Sequence, residues 1–149
     1  MRLAVIGTGY VGLVAGAGFS DFGNDVICVD LDDKRVAGLR RGEIPIHEPR
    51  LEELVKRNLA AGRLGFTTQI AEAVPGADVV ILAVGTPTDE RDGSADLKYV
   101  DEAARQVGRA LTGFAVIVTK STVPVGTADR IRAIIGPETK HEFAVASNP

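Results

Sequence analysis

Gly7, Gly9 and Gly12 stand at the spacing G-x-G-x-x-G, and Asp30 closes the next strand-like apolar run. Glycines so placed bend a chain sharply and bare backbone N–H groups to a phosphate, and an acid at that distance can accept hydrogen bonds from a ribose. Gly7 would permit the tight turn, Gly9 would let the backbone approach a pyrophosphate, and Gly12 would let a helix lie close to a sheet. Tyr10 and Val11 complete the run and begin that helix, whose first N–H groups would face the phosphate charge. The chemistry is dinucleotide binding.

Charge at the end of the second run selects the dinucleotide. A 2′-phosphate beside the Asp30 carboxylate would meet like charge in a partly desolvated site, a cost of several kcal/mol. NAD is therefore expected over NADP. Lys34 and Arg35 follow closely, and Arg35 is read as covering the adenine or its ribose.

Two further turns carry hydroxyls to the same edge. Gly85-Thr86-Pro87 closes one strand-like run, which lets Thr86 bond cofactor or substrate. Lys120-Ser121-Thr122-Val123-Pro124 closes the next, with Thr122 chosen for the nicotinamide half and Ser121 nearly as exposed by the same reasoning. His47 and His141 have no cysteine or paired acids at ligand spacing, so no metal is expected. Cys28 falls inside the second apolar run and reads as a buried core thiol. No side chain stands out as the base or nucleophile that a dehydrogenase needs. From the residues alone, the chain is an NAD-binding domain.

Short β-rich runs alternate with helical patterns, as a parallel sheet covered on both faces requires. Strands are expected at residues 3–6, 26–29, 64–68, 77–83, 114–119 and 142–147. Helices are expected at about 10–22, 32–41, from Pro49 onward, 97–111 and 127–135. Leu51, Leu54, Val55 and Leu59 share one face of the third helix, with Glu52–Lys56 and Glu53–Arg57 pairs opposite. A polar loop, residues 85–96, contains the turn signal Asp92-Gly93. The sum is one doubly wound, Rossmann-type α/β domain over residues 1–149, six strands in the order 3-2-1-4-5-6.

A chain of 149 residues with net charge −3 has one ordinary domain's core and no basic stripe, which disfavours nucleic acid as a partner. No apolar run is long enough for a membrane helix, and with Met1-Arg2-Leu3 leading straight into the first strand no signal peptide is expected. The lone cysteine fits a reducing cytoplasm. Ser147-Asn148-Pro149 falls where the last strand would meet the ligand cleft, so a fragment is expected.

Taken together, Gly7-Thr8-Gly9-Tyr10-Val11-Gly12-Leu13, Pro45-Ile46-His47-Glu48-Pro49, Val84-Gly85-Thr86-Pro87, the run 120–127 and Ser147-Asn148-Pro149 resemble successive signatures of the UDP-glucose 6-dehydrogenase family. Lys120 and Val123-Pro124-Val125-Gly126-Thr127 resemble those members more than the GDP-mannose ones. His47 stands where the family often has tyrosine, and Arg50 where it often has glycine. The resemblance implies an NAD-dependent oxidation of a sugar C6 alcohol to a carboxylate in two hydride transfers, on a nucleotide-sugar substrate. It implies that Tyr10 and Thr86 border the nicotinamide, that Asp30 and Arg35 take the adenosine ribose, and that Thr122 helps hold a catalytic water. It further implies a homodimer or higher oligomer, and a nucleophilic cysteine beyond residue 149 that is not Cys28. GDP-mannose or UDP-N-acetylhexosamine dehydrogenases, and a non-catalytic NAD-sensing module, are the alternatives.

Overall fold

The computed structural model describes residues 1–88 and 93–149. Asp92 of the Asp92-Gly93 turn signal lies outside the described residues, while Gly93 has the positive φ of +75° that such a turn requires.

Six apolar runs form strands: β1 Arg2–Ile6, β2 Asp25–Val29, β3 Leu64–Thr67, β4 Val79–Leu82, β5 Ala115–Thr119 and β6 Phe143–Ser147. They make one sheet in the order β3-β2-β1-β4-β5-β6, with every pairing parallel. The helices between them are α1 Tyr10–Asp21, α2 Asp33–Arg40, α3 Leu51–Ala60, α4 Ile70–Ala73, α5 Lys98–Ala110 and α6 Thr127–Ile135. The order reverses between β1 and β4, and that switch point opens a crevice at the carboxyl ends of these two strands.

Alternation along the strands divides the core into two layers. Leu3, Val5, Val26, Cys28, Leu64 and Phe66 meet Leu13 and Ala17 of α1, Val36 and Leu39 of α2, and Leu51 and Val55 of α3. Ala4, Ile6, Val29, Val80, Leu82, Ala115 and Ile117 meet α4, α5 and α6 on the opposite face. Ion pairs Lys56–Glu52 and Arg57–Glu53 lie on the outer side of α3, as the spacing predicts.

Two local departures from the sequence reading have physical causes. The third helix begins at Leu51, not around Pro49, because Arg50 is left-handed at φ +67° and cannot belong to a helix. α4 was not expected; it is a single turn, too short to show a helical period.

On the face that carries α1 to α3, Ile81 of β4 is buried with Leu13 and Ala17 of α1, but no helix among the described residues covers β5 and β6. Val116 and Val118 are half-buried there and Ala144 and Ala146 exposed, although all four point to one side. Phe22, 86% exposed, and Phe19 border this apolar hollow from α1.

Candidate cofactor site

The loop after β1 is shaped by what it touches. Gly7 adopts φ +104°, donates its N–H to the Val29 carbonyl at 2.8 Å, and backs onto Ala83, whose carbonyl oxygen would lie 2.5 Å from a side-chain carbon there. Any other residue would be both strained and blocked. A Cβ on Gly12 would meet the Gly7 carbonyl oxygen at 1.9 Å and the Ala83 Cβ at 3.2 Å. The first turn of α1 therefore rests directly on the loop and on the end of β4. At Gly9 a Cβ would meet nothing within 4 Å. Of the three fingerprint glycines it alone faces open space, where a ligand can approach the backbone.

Gly9 is also the N-cap of α1, and no side chain caps that end. The first N–H groups of an α-helix have no partner within the helix, so this terminus can receive an anion.

A cleft of about 420 Å³ opens beside the loop. Gly7, Gly9, Asp30 and Arg35 line one side of it, and Tyr99, Glu102 and Gln106 of α5 line another. Asp30 follows β2 and points into this space. Its Oδ2 accepts from the Thr8 N–H at 2.9 Å and from the Thr8 hydroxyl at 2.6 Å, and its Oδ1 accepts from the Asp32 N–H at 3.1 Å. Arg35 Nη1 stands 3.7 Å from Oδ2. Burial works against the Asp30 anion, but the Thr8 hydroxyl, the Asp32 and Thr8 N–H groups and Arg35 outweigh it, holding the carboxyl below its ordinary range. Asp32 also caps α2 through the Lys34 and Arg35 N–H groups, which fixes the helix that carries Arg35.

Residues 1–149 match the family described as "UDP-glucose/GDP-mannose dehydrogenase family, NAD binding domain". The chain belongs to this family. It is 52% identical over 150 residues to the UDP-glucose 6-dehydrogenase of Rhizobium meliloti (strain 1021), with all of the chain and 34% of the relative covered. It is 53% identical over 154 residues to the UDP-glucose 6-dehydrogenase of Pseudomonas aeruginosa, again covering all of the chain and 34% of the relative. Among solved structures, a UDP-glucose dehydrogenase from Pyrobaculum islandicum superposes with a TM-score of 0.94 at 44% identity, over 99% of this chain and 35% of that one. The GDP-mannose dehydrogenase of Pseudomonas aeruginosa gives the same TM-score of 0.94 at 34% identity, over 100% of this chain and 36% of that one. The chain thus spans about a third of the length of the curated relatives it matches.

The residues present in this NAD-binding domain fit the dinucleotide. Open backbone at Gly9, an uncapped helix start and a fixed anionic acceptor beside them are what pyrophosphate and ribose require.

The other expected site residues fall elsewhere around the same strand ends. Thr86 and Thr122 are brought together, the Thr86 hydroxyl donating to the Thr122 carbonyl at 3.1 Å. Ser121 and Thr122, indistinguishable by sequence, separate here. Ser121 is 8% exposed and its hydroxyl donates to the Val84 carbonyl at 2.7 Å, whereas Thr122 is exposed. Tyr10 and Val11 line the apolar hollow under β4 and β5, on the other side of the loop from the 420 Å³ cleft. The Tyr10 hydroxyl donates to Glu48 Oε2 at 2.7 Å, tying α1 to the extended segment before α3. That bond to the Glu48 carboxylate raises the phenol above its ordinary range.

Three groups have contacts or positions to which sequence reasoning assigned no role. Thr8 occupies a variable position of the fingerprint, and only its contact with Asp30 gives it meaning. Lys120 and Asn148 end neighbouring strands, and the Lys120 ammonium donates to Asn148 Oδ1 at 3.1 Å and to its carbonyl at 3.3 Å. Tyr99, Glu102 and Gln106 repeat at helical spacing on the side of α5 that faces the cleft, a signal that an amphipathic reading of α5 could have supplied. Among the described residues there is no group of three His, Cys, Asp or Glu side chains able to hold a metal ion, and no helix long and apolar enough to cross a membrane.

Proposed function

We propose that this chain is the cofactor half of an NAD-dependent UDP-glucose 6-dehydrogenase, which oxidises the sugar's C6 alcohol to a carboxylate in two hydride transfers. The observation that carries the proposal is the cleft itself: the open Gly9 backbone, at the uncapped start of α1, and the Asp30 carboxylate lie side by side on its wall. Relatives named UDP-glucose 6-dehydrogenase, at 52% and 53% identity over the whole chain, support the choice of substrate over GDP-mannose, whose dehydrogenase stands at 34%.

NAD, when bound, supplies the hydride acceptor. The Gly7–Gly12 loop and the first turn of α1 hold the pyrophosphate, with Tyr10, Val11 and Gly12 shaping that turn. Asp30 accepts a ribose hydroxyl and Arg35 screens the carboxylate. Thr86 and Thr122, already bonded to each other, border the nicotinamide half, and the Thr122 hydroxyl helps hold a water near the reacting carbon. The nucleophile is supplied from outside residues 1–149: Cys28, the sole cysteine, is buried in the core. The whole protein acts in the cytoplasm as a homodimer or higher oligomer.

The test has two parts. The 149-residue chain, titrated with NAD in a calorimeter, should bind without forming NADH when UDP-glucose is added. A protein that carries this domain at the full length of its relatives should release two NADH per UDP-glucose consumed. Turnover of GDP-mannose in its place would overturn the choice of sugar, and no binding of NAD to either protein would overturn the proposal.

A further inference from the structure

Thr8 lies between the first two glycines of the loop and is completely buried, at 0% exposure. A buried hydroxyl requires a partner, and this one finds the carboxylate that faces the cleft. The Thr8 hydroxyl and N–H both donate to Asp30 Oδ2, at 2.6 and 2.9 Å. A carboxylate oxygen has about two acceptor positions, so these bonds fill Oδ2. Arg35 adds its charge on the same oxygen, 3.7 Å away. Oδ1 accepts only from the Asp32 N–H, at 3.1 Å, among the described residues, and so keeps one position open.

We propose that Thr8 is a positioning residue that locks Asp30 so that one oxygen, Oδ1, is presented to one hydroxyl of the ribose. The inference rests on the NAD-binding reading and refines it. An unlocked carboxylate rotates about its last torsion and exchanges its oxygens, so part of its binding energy goes into ordering it. With Thr8 in place that ordering is done by the fold. The bonds to Oδ2 also keep Asp30 ionised despite its partial burial, which the charge-assisted bond to a hydroxyl needs.

Three proteins test this: the chain itself, Thr8→Val, which keeps the shape and removes the hydroxyl, and Thr8→Ser, which keeps the hydroxyl. Two quantities are read on each, the NAD dissociation constant by calorimetry and, without any ligand, the Asp30 side-chain carboxyl titration by carbon NMR. Thr8→Val should weaken NAD about tenfold, the effect of losing a charge-assisted contact. It should also move the Asp30 titration upward, while Thr8→Ser restores both. Unchanged Asp30 titration and NAD affinity in Thr8→Val would overturn the proposal. So would a Thr8→Ser protein as impaired as Thr8→Val, since the role would then belong to the methyl group's packing. Failure of the unsubstituted chain to bind NAD would overturn the cofactor reading instead, and the ligand-free titration would still decide whether Thr8 holds Asp30.

Discussion

The carbonyl oxygen of Gly7 sits where a side chain on Gly12 would begin, 1.9 Å from the ideal Cβ position. The loop and the helix it introduces thus exclude each other's side chains, and the two glycines are coupled by contact. Gly9, between them in sequence, is free of that constraint.

This contrast separates folding from binding. Gly12→Ala should destabilise the domain by about 3 kcal/mol, the upper end of what overpacking a close backbone contact costs. Gly9→Ala has room for its methyl and an ordinary φ of −65°, so its unfolding free energy from urea titration should stay within about 1 kcal/mol of the original. NAD affinity should nonetheless fall at least tenfold in Gly9→Ala, because the methyl enters the space the pyrophosphate needs. Calorimetry alongside denaturation distinguishes the two effects.

Arg50 holds a left-handed backbone at φ +67° at the start of α3, where a side chain costs about 1 kcal/mol or more. Glycine adopts that conformation freely but is more disordered when unfolded, which returns part of the gain. Arg50→Gly should therefore raise stability by about 0.5–1 kcal/mol, measured as the urea midpoint at constant slope. A loss of stability would mean that the arginine side chain contributes more than its backbone strain costs.

Cys28 lies fully buried on β2, and a Cβ on Gly16 of α1 would come within 2.4 Å of its sulfur. Burial pushes the thiol up to about 12. The thiolate is the reactive form, so alkylation by iodoacetamide at pH 8 should be undetectable in the folded chain and complete in denaturant, as read by mass spectrometry. A folded chain that is alkylated readily would place Cys28 at the surface. Gly16→Ala should be strongly destabilising for the same close contact.

On the proposed reading, Asp30 would set the choice between the two dinucleotides. The chain should bind NAD at least tenfold more tightly than NADP, because a 2′-phosphate would approach a carboxylate held ionised by its neighbours. Asp30→Ala should narrow that ratio by weakening NAD and relieving the repulsion of NADP. Equal affinities in the unsubstituted chain would mean that Arg35 and Lys34 govern the site.

Much of the scaffold could be read in the chain. The strand order, the start of α1 at Tyr10 and the bounds of α6 agree with the apolar periods, because burial on both faces leaves long apolar runs and glycine or proline at their ends. The dinucleotide fingerprint was equally legible, since Gly7 answers to a positive φ and Gly12 to a close backbone contact that other residues do not tolerate.

The tertiary structure decided what lies between distant segments. That Thr8 fixes Asp30, that Ser121 is turned inward while Thr122 is exposed, and that Tyr10 binds Glu48 all depend on packing across 22 to 38 positions of chain, which no local pattern encodes. Arg50 was hidden for another reason: a left-handed conformation is legible when the residue is glycine, and here it is not. The sequence by itself determined the fold, through apolar runs repeated along the chain, and the glycine loop, through the spacing of a single short segment. Which oxygen of Asp30 is taken by Thr8, and which of the two hydroxyls after β5 stays exposed, was settled only when the sheet brought the ends of separate strands together.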